Sequence, residues 1–298
     1  MLPVRVAVAL LAGAPAALAG QVDSAPLHAV LANGYRFAYT DQGSGRPVLL
    51  VHGALTDYRF WDPVASSLAD SFRVITLSRR YHYPNPWRPD DPPSGFETTA
   101  ADLAAVIRAL QLEQPVVVGH SWASLAVLHL ALREPGRLSA IVLVNPVADS
   151  FIPEPARRQA VATARAAGYR DALARFDPHA PLPALARLLP TWFGPGARLE
   201  DLEPGARQRL LANAHTLPTA AAAEPRIPPQ ALERLGLPVL LLGGEAAPAE
   251  EGETVRGLVA ALPATRWELV PGGGRILPRS HPGAVVSAIR VFMQGAAP

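Results

Sequence analysis

The stretch that most limits what this chain can become reads Val116-Val117-Val118-Gly119-His120-Ser121-Trp122-Ala123-Ser124. A short apolar run gives way, with no loop residues between, to a helical pattern over 122–134. So abrupt a strand-to-helix turn strains the backbone at Ser121 and leaves its hydroxyl exposed. Bulk two residues before or after the serine would collide with neighbouring main chain, and Gly119 and Ala123 stand there. The first N–H groups of the following helix favour negative charge developing beside Ser121. A bare Gly-x-Ser-x-small match is weak; its position after a buried-type strand and before a helix makes it specific.

The rest of the chain supplies a sheet for that turn to rise from. Residues 28–32 and 35–40 flank Asn33-Gly34, a strong type I′ signal for a β-hairpin. Continuous apolar runs follow at 47–52, 73–77, 115–120, 140–144, 238–243 and 266–270, as expected of strands buried on both faces. Helical patterns lie between them at 61–70, 97–111, 122–134, 253–262 and 282–294. Strands alternating with helices predict an α/β fold, with a mostly parallel eight-stranded sheet flanked by helices. The alternation stops near 149 and resumes at Pro238, an interval too long for a structureless loop. Residues 149–235 are therefore expected to be a small helical insertion, with helical stretches such as 154–176 and 204–215, in a core formed by 20–148 and 236–298. Pro84 to Pro93 reads as a stiff loop over one end of the sheet.

Composition excludes several classes. Of 298 residues 49% are hydrophobic and 17% charged, enough apolar material for a sizeable core. All 27 basic residues are arginine, and they are scattered; with a net charge of +2 they predict no nucleic-acid partner. With no cysteine, disulfides and thiolate chemistry are excluded. The spacing of the histidines matches no metal-ligand pattern, so neither metal nor cofactor is expected. Arg5, the apolar run Val6–Ala12 and Ala17-Leu18-Ala19 predict a signal peptide over residues 1–19 and an exported, periplasmic or secreted protein with no stable membrane span. No feature specifies an oligomeric state.

Taken with the elbow at Ser121, four further segments resemble the α/β-hydrolase superfamily over about residues 28–294. They are Val51-His52-Gly53-Ala54, Ser78-Arg79-Arg80-Tyr81-His82-Tyr83-Pro84-Asn85, Leu143-Val144-Asn145-Pro146 and Pro271-Gly272-Gly273-Gly274. The resemblance implies Ser121 as nucleophile, an oxyanion hole from the backbone N–H groups of Ala54 and Trp122, and a cap over the site. His52, His82 and Trp122 are its expected pocket residues. The side chain of His120 is expected to point away from the site.

The chain departs from that family where the nucleophile should be activated. Members carry an acid and then a histidine after the serine in sequence. Here the histidine position after Pro271-Gly272 holds Arg275. Serine is a poor nucleophile until a base takes its proton, and arginine stays protonated at any workable pH. Loss of one triad member leaves roughly 10³- to 10⁴-fold acceleration over water. The usual acid position holds Ala247, which leaves Asp149, four residues past Asn145, as the expected acid. His281, six residues beyond Arg275, is the remaining substitute base.

Three readings stay open. One is an esterase-like hydrolase of a small ester, with Ser121 as nucleophile and impaired turnover. The second is a catalytically silent exported binding protein. The third is a cofactor-free lyase or isomerase in which Arg275 clamps an anionic substrate. Each has a small-molecule partner.

Overall fold

A computed structural model describes residues 25–224, 227–262 and 264–295. The signal-peptide segment, 1–19, lies outside the described residues. The eight strands are β1 (Leu27–Ala32), β2 (Tyr35–Gln42), β3 (Pro47–Val51), β4 (Arg73–Leu77), β5 (Val116–His120), β6 (Ala140–Val144), β7 (Val239–Gly244) and β8 (Thr265–Val270). They form one sheet in the order β1-β2-β4-β3-β5-β6-β7-β8. β2 pairs antiparallel with both β1 and β4, and all other pairs are parallel. The expected mostly parallel eight-stranded sheet is thus present, opening on the hairpin that Asn33-Gly34 turns with φ of 46° and 67°.

Alternation along the strands sorts the core into two layers. Leu49, Val51, Ile75, Val117, Ile141 and Leu241 face helices α2 (Phe96–Ala109), α3 (Ala123–Arg133) and α9 (Ala249–Ala261). Val48, Leu50, Val116, Val118, Val142 and Leu240 face α1 (Asp62–Leu68) and α11 (Pro282–Gly295). Because both faces are covered, the central strands read as unbroken apolar runs.

Between β6 and β7 the regular elements are all helical. They are α4 (Pro155–Leu173), α5 (Leu182–Phe193), α6 (Pro204–Ala212), α7 (Leu217–Ala220), α8 (Pro229–Glu233) and short 3₁₀ turns. Ala172, Ala184, Leu185, Leu188, Leu189, Leu210 and Leu217 form a separate apolar cluster, joined by Leu55 from the loop after β3. Leu55 is 1% exposed and takes φ of 47°, so that loop is tied into the insertion by its own side chain. α9 starts at Ala249, four residues before the pattern-based boundary, because Pro248 opens it and Glu250 and Glu251 fill its first turn. α10 (Leu277–Ser280) is a single turn just before α11.

Candidate active site

Ser121 sits between β5 and α3 with φ of 52°, the left-handed conformation that a sharp strand-to-helix turn imposes. Its backbone N–H donates to the Val144 carbonyl at 2.9 Å, which fixes the elbow to the neighbouring strand. A Cβ on Gly119 would lie 2.9 Å from Val127 Cγ2 and 3.0 Å from the Ala123 carbonyl oxygen, so only glycine fits there. The serine faces a cavity of about 440 Å³ lined by the loop after β3 (Gly53, Ala54, Leu55), by Phe60, Phe96 and Trp122, and by the insertion. That size falls in the range of small-molecule sites. The wall is mostly apolar, with Ala162, Ala166 and Ala220 to Ala223 contributed by the insertion.

Ala54, Ser121 and Trp122 therefore share one wall. Among the described residues, the N–H groups of Ala54 and Trp122 donate to no protein acceptor, and the Ser121 hydroxyl has no hydrogen-bond partner. Unpaired N–H groups beside a serine on a helix N-terminus can receive an anion. Among the described residues no imidazole hydrogen-bonds to Ser121.

Arg275 lines the same cavity, and its side chain is 10% exposed. Its Nε lies 3.0 Å from Glu251 Oε1, at an angle that makes the contact an ion pair rather than a hydrogen bond. Glu250 Oε1 is a second acid, 3.7 Å from Nη2. Glu251 is 3% exposed, and its other oxygen accepts from Asn145 Nδ2 at 3.0 Å. Burial pushes the Glu251 carboxyl up to about 7, against the opposing pull of Arg275 and Asn145. Asn145, at the end of β6 with φ of 45°, aims its amide at α9. Glu251 lies two residues before the helical pattern at 253–262, and the early start of α9 at Ala249 brings it to the site.

Asp149, the expected acid, is paired with an arginine of the insertion. Asp149 reaches the cavity wall, but Arg165 of α4 holds both of its oxygens at 2.7 and 2.9 Å. Its carboxylate is committed to that pair and touches no imidazole. The backbone N–H groups of Asp149 and Ser150 donate to Glu224, whose carboxyl is raised by burial and by the Asp149 charge.

His281, the expected substitute base, lies outside the cavity lining. Residues 277–280 close a helical turn in which His281 N–H bonds the Leu277 carbonyl at 2.8 Å, and His281 opens α11. Its ring turns to Ser280 Oγ at 2.9 Å and does not line the cavity.

His52 and His82 do not line it either. Both are fully buried behind the loop after β3, clamped by Arg79. Arg79 donates to the carbonyls of His52 and Gly53 at 3.0 and 2.8 Å and to His82 Nε2 at 3.0 Å. Its guanidinium stacks 4.3 Å from the Trp122 ring centre. No carboxylate joins this cluster among the described residues, and burial brings Arg79 down to about 9. His52 and His82 are lowered by burial and then by the Arg79 charge, which keeps both neutral. Of the three expected pocket residues only Trp122 reaches the wall, its ring stacked on Phe96 at 4.0 Å.

His120 does not point clear of the site. Its Nε2–H donates to the Arg275 carbonyl at 3.1 Å, its ring lies 4.5 Å from Phe60, and it forms part of the wall. Burial lowers it to about 4, so it is neutral at physiological pH. Its Nδ1 is buried without a partner. No cluster of three metal-ligating side chains occurs among the described residues, and no described helix is long and apolar enough to cross a membrane.

Fold and site together define an α/β protein built around a nucleophile elbow. The sequence profile of the α/β hydrolase fold family matches residues 46–278, and the chain belongs to that family. It is similar to 2-hydroxy-6-oxo-2,4-heptadienoate hydrolase of Pseudomonas putida, 34% identical over 125 residues that cover 41% of this chain and 45% of that protein. A non-heme chloroperoxidase of Streptomyces lividans is 37% identical over 121 residues, 39% of this chain and 42% of that one. The matched stretch thus spans less than half the length of these relatives. Among solved structures, a thermophilic esterase from Thermogutta terrifontis superposes with a TM-score of 0.74 at 23% identity, covering 92% of this chain and all of that one. A hydrolase from Pseudomonas aeruginosa gives 0.73 at 23% identity, over 91% of this chain and 99% of the other.

Proposed function

We propose that the protein is an esterase-like hydrolase that attacks a small ester with Ser121 and turns over slowly. One observation carries this reading: the elbow and its free N–H groups are intact, while the residue at the base position is Arg275, engaged with Glu251. In this scheme Ser121 Oγ adds to the ester carbonyl, and the N–H groups of Ala54 and Trp122 receive the oxyanion. The alcohol leaves with a proton, and water then releases the acid from Ser121. Arg275 cannot accept the Ser121 proton, which in this scheme passes to solvent or to the substrate. Orientation and oxyanion stabilisation alone support roughly 10³- to 10⁴-fold acceleration over water.

The test is p-nitrophenyl butyrate hydrolysis by wild type, Ser121→Ala and Arg275→His. Wild type is expected to show slow turnover that Ser121→Ala removes and Arg275→His raises. Turnover unchanged in Ser121→Ala would sink the reading. The Arg275–Glu251 pair also supports a second reading, a silent binding protein, which predicts no wild-type turnover above the Ser121→Ala background. The similar proteins named above include a dienoate hydrolase and a chloroperoxidase, so they support a family pocket rather than one substrate. We read the chain as exported, on Arg5, Val6–Ala12 and Ala17-Leu18-Ala19. N-terminal sequencing of the periplasmic and secreted protein, expected to begin near Gly20, tests this.

A further inference from the structure

Two arginines in the cavity wall have no role in the scheme above. Arg209, on α6, is 9% exposed, and Arg279, on α10, is half-buried; both line the cavity of Ser121. One comes from the insertion and the other from the segment after Arg275. Arg209 is lowered by burial first and by the Arg279 charge next. Unpaired positive charge in a mostly apolar wall is stabilised by an anion.

The protein's own acids do not fill that place. Glu203 Oε2 is 3.7 Å from Arg209 Nη2, but its side chain is 62% exposed. Both of its oxygens already accept the N–H groups of Gly205 and Ala206, at 2.8 and 2.9 Å, in capping α6. Asp57 faces the cluster while paired with Arg59 at 2.7 Å, and Asp62 feels both arginines from beyond ion-pair distance. Arg279 has no ion pair or side-chain hydrogen bond among the described residues, unlike Arg165 with Asp149 or Arg275 with Glu251. Among the described residues Glu203 is the acid nearest Arg209, Arg279 has no acid within ion-pair distance, and a guanidinium fork matches the planar oxygens of a carboxylate. The neighbouring wall, Leu202, Ala206, Leu210 and Ala220, is apolar.

We propose that Arg209 and Arg279 form a carboxylate-binding subsite in the Ser121 cavity, so that the ligand carries one carboxylate on an apolar body. If the hydrolase reading holds, the substrate is an ester bearing that carboxylate away from the scissile bond. The subsite itself requires only binding, so the two ideas fail separately.

The experiment is calorimetric titration of the full-length Ser121→Ala protein, which cannot use the serine, with sodium octanoate and with the neutral isostere octanamide. Octanoate is expected to bind about tenfold or more tightly than octanamide, as a charge-assisted hydrogen bond implies. Adding Arg209→Met and Arg279→Met should reduce that preference to within about twofold, the effect of losing both charged donors. Octanamide affinity and melting temperature should be retained, and Arg209→Lys with Arg279→Lys should keep part of the preference. Equal binding of the two ligands, no binding of either, or a preference that survives the methionine pair would overturn the proposal. So would a preference lost in Arg275→Met instead, which would put the carboxylate beside Glu251. Octanoate binding without any ester turnover by wild type would keep the subsite and reject the hydrolase reading.

Discussion

Replacing Glu251 by Gln removes a buried carboxylate whose ion pair with Arg275 looks stabilising, and the expected result runs against that impression. Burial raises the Glu251 carboxyl from 4.5 to about 7 even with Arg275 at 3.0 Å. Between those values the folded chain keeps a proton that the unfolded chain releases, so stability falls as pH rises through the window. At 1.36 kcal/mol per pH unit, the loss is about 3 kcal/mol by pH 7.5. Gln keeps the shape and a hydrogen-bonding partner for Asn145, and it cannot ionise. Urea unfolding of both proteins from pH 4.5 to 7.5 reads the difference directly. The stability of Glu251→Gln minus that of wild type should rise by about 3 kcal/mol across the series.

The wild-type curve alone would hide this. His120 is lowered from 6.5 to about 4, so between those values the unfolded chain binds a proton that the folded chain refuses. Its contribution therefore rises with pH by about 3 kcal/mol, nearly cancelling that of Glu251. His52 and His82 act in the same direction as His120. All three histidines are common to wild type and variant, so they drop out of the difference. A difference that stays flat from pH 4.5 to 7.5 would refute the reasoning, because it would mean that Glu251 ionises as readily when folded as when unfolded.

Three further outcomes follow from the packing around the site. Arg79→Met should lower the urea midpoint, since the buried carbonyls of His52 and Gly53 lose their donors at about 1–3 kcal/mol each; Arg79→Lys should not restore it, because one ammonium cannot span the same fork. Arg165→Met strands the Asp149 carboxylate and should cost about 3–5 kcal/mol in the same assay, most of which Arg165→Met with Asp149→Leu should recover. Gly244→Ala puts a Cβ 2.2 Å from the Gly273 carbonyl oxygen, a main-chain atom with little room to move, and should cost about 3 kcal/mol or more; an unchanged melting temperature would show that the 272–274 loop yields freely.

How far the sequence could be read depended on the range of each contact. The elbow was legible because its constraint is local: Gly119 and Ala123 answer to main chain within a few residues of Ser121. The sheet was legible because strands covered on both faces are apolar at every position, as in Val116–Val118 and Ala140–Val144. The side chains around Ser121 were not, because their direction is set by partners far away in sequence. Arg79 draws His52 and His82 behind the loop, and Arg165 takes Asp149. The turn at 277–280 carries His281 out of the cavity. Glu251 and Arg275 meet only because α9 begins early, and Arg209 and Arg279 line one cavity only because the insertion contributes to its wall.

The Arg275–Glu251 pair gives those scattered departures a common electrostatic sense. In a serine–histidine–acid site the imidazole becomes positive beside its carboxylate only as it takes the serine's proton. Here a cation and a buried carboxyl already stand together, 3.0 Å apart, before any substrate binds. Such a pair can present positive charge to an oxyanion or to a bound carboxylate, but it cannot itself take the proton from Ser121. A site of this kind keeps its binding energy and loses its general base. Arg275→His should return a base to a position where Glu251 and Asn145 already supply an acid and its support. If Glu251 then orients that imidazole, the rate gained by Arg275→His should largely disappear when Glu251→Gln is added. If the gain survives, the new histidine is acting alone, and the buried carboxyl holds the Arg275 charge without being a latent catalytic acid.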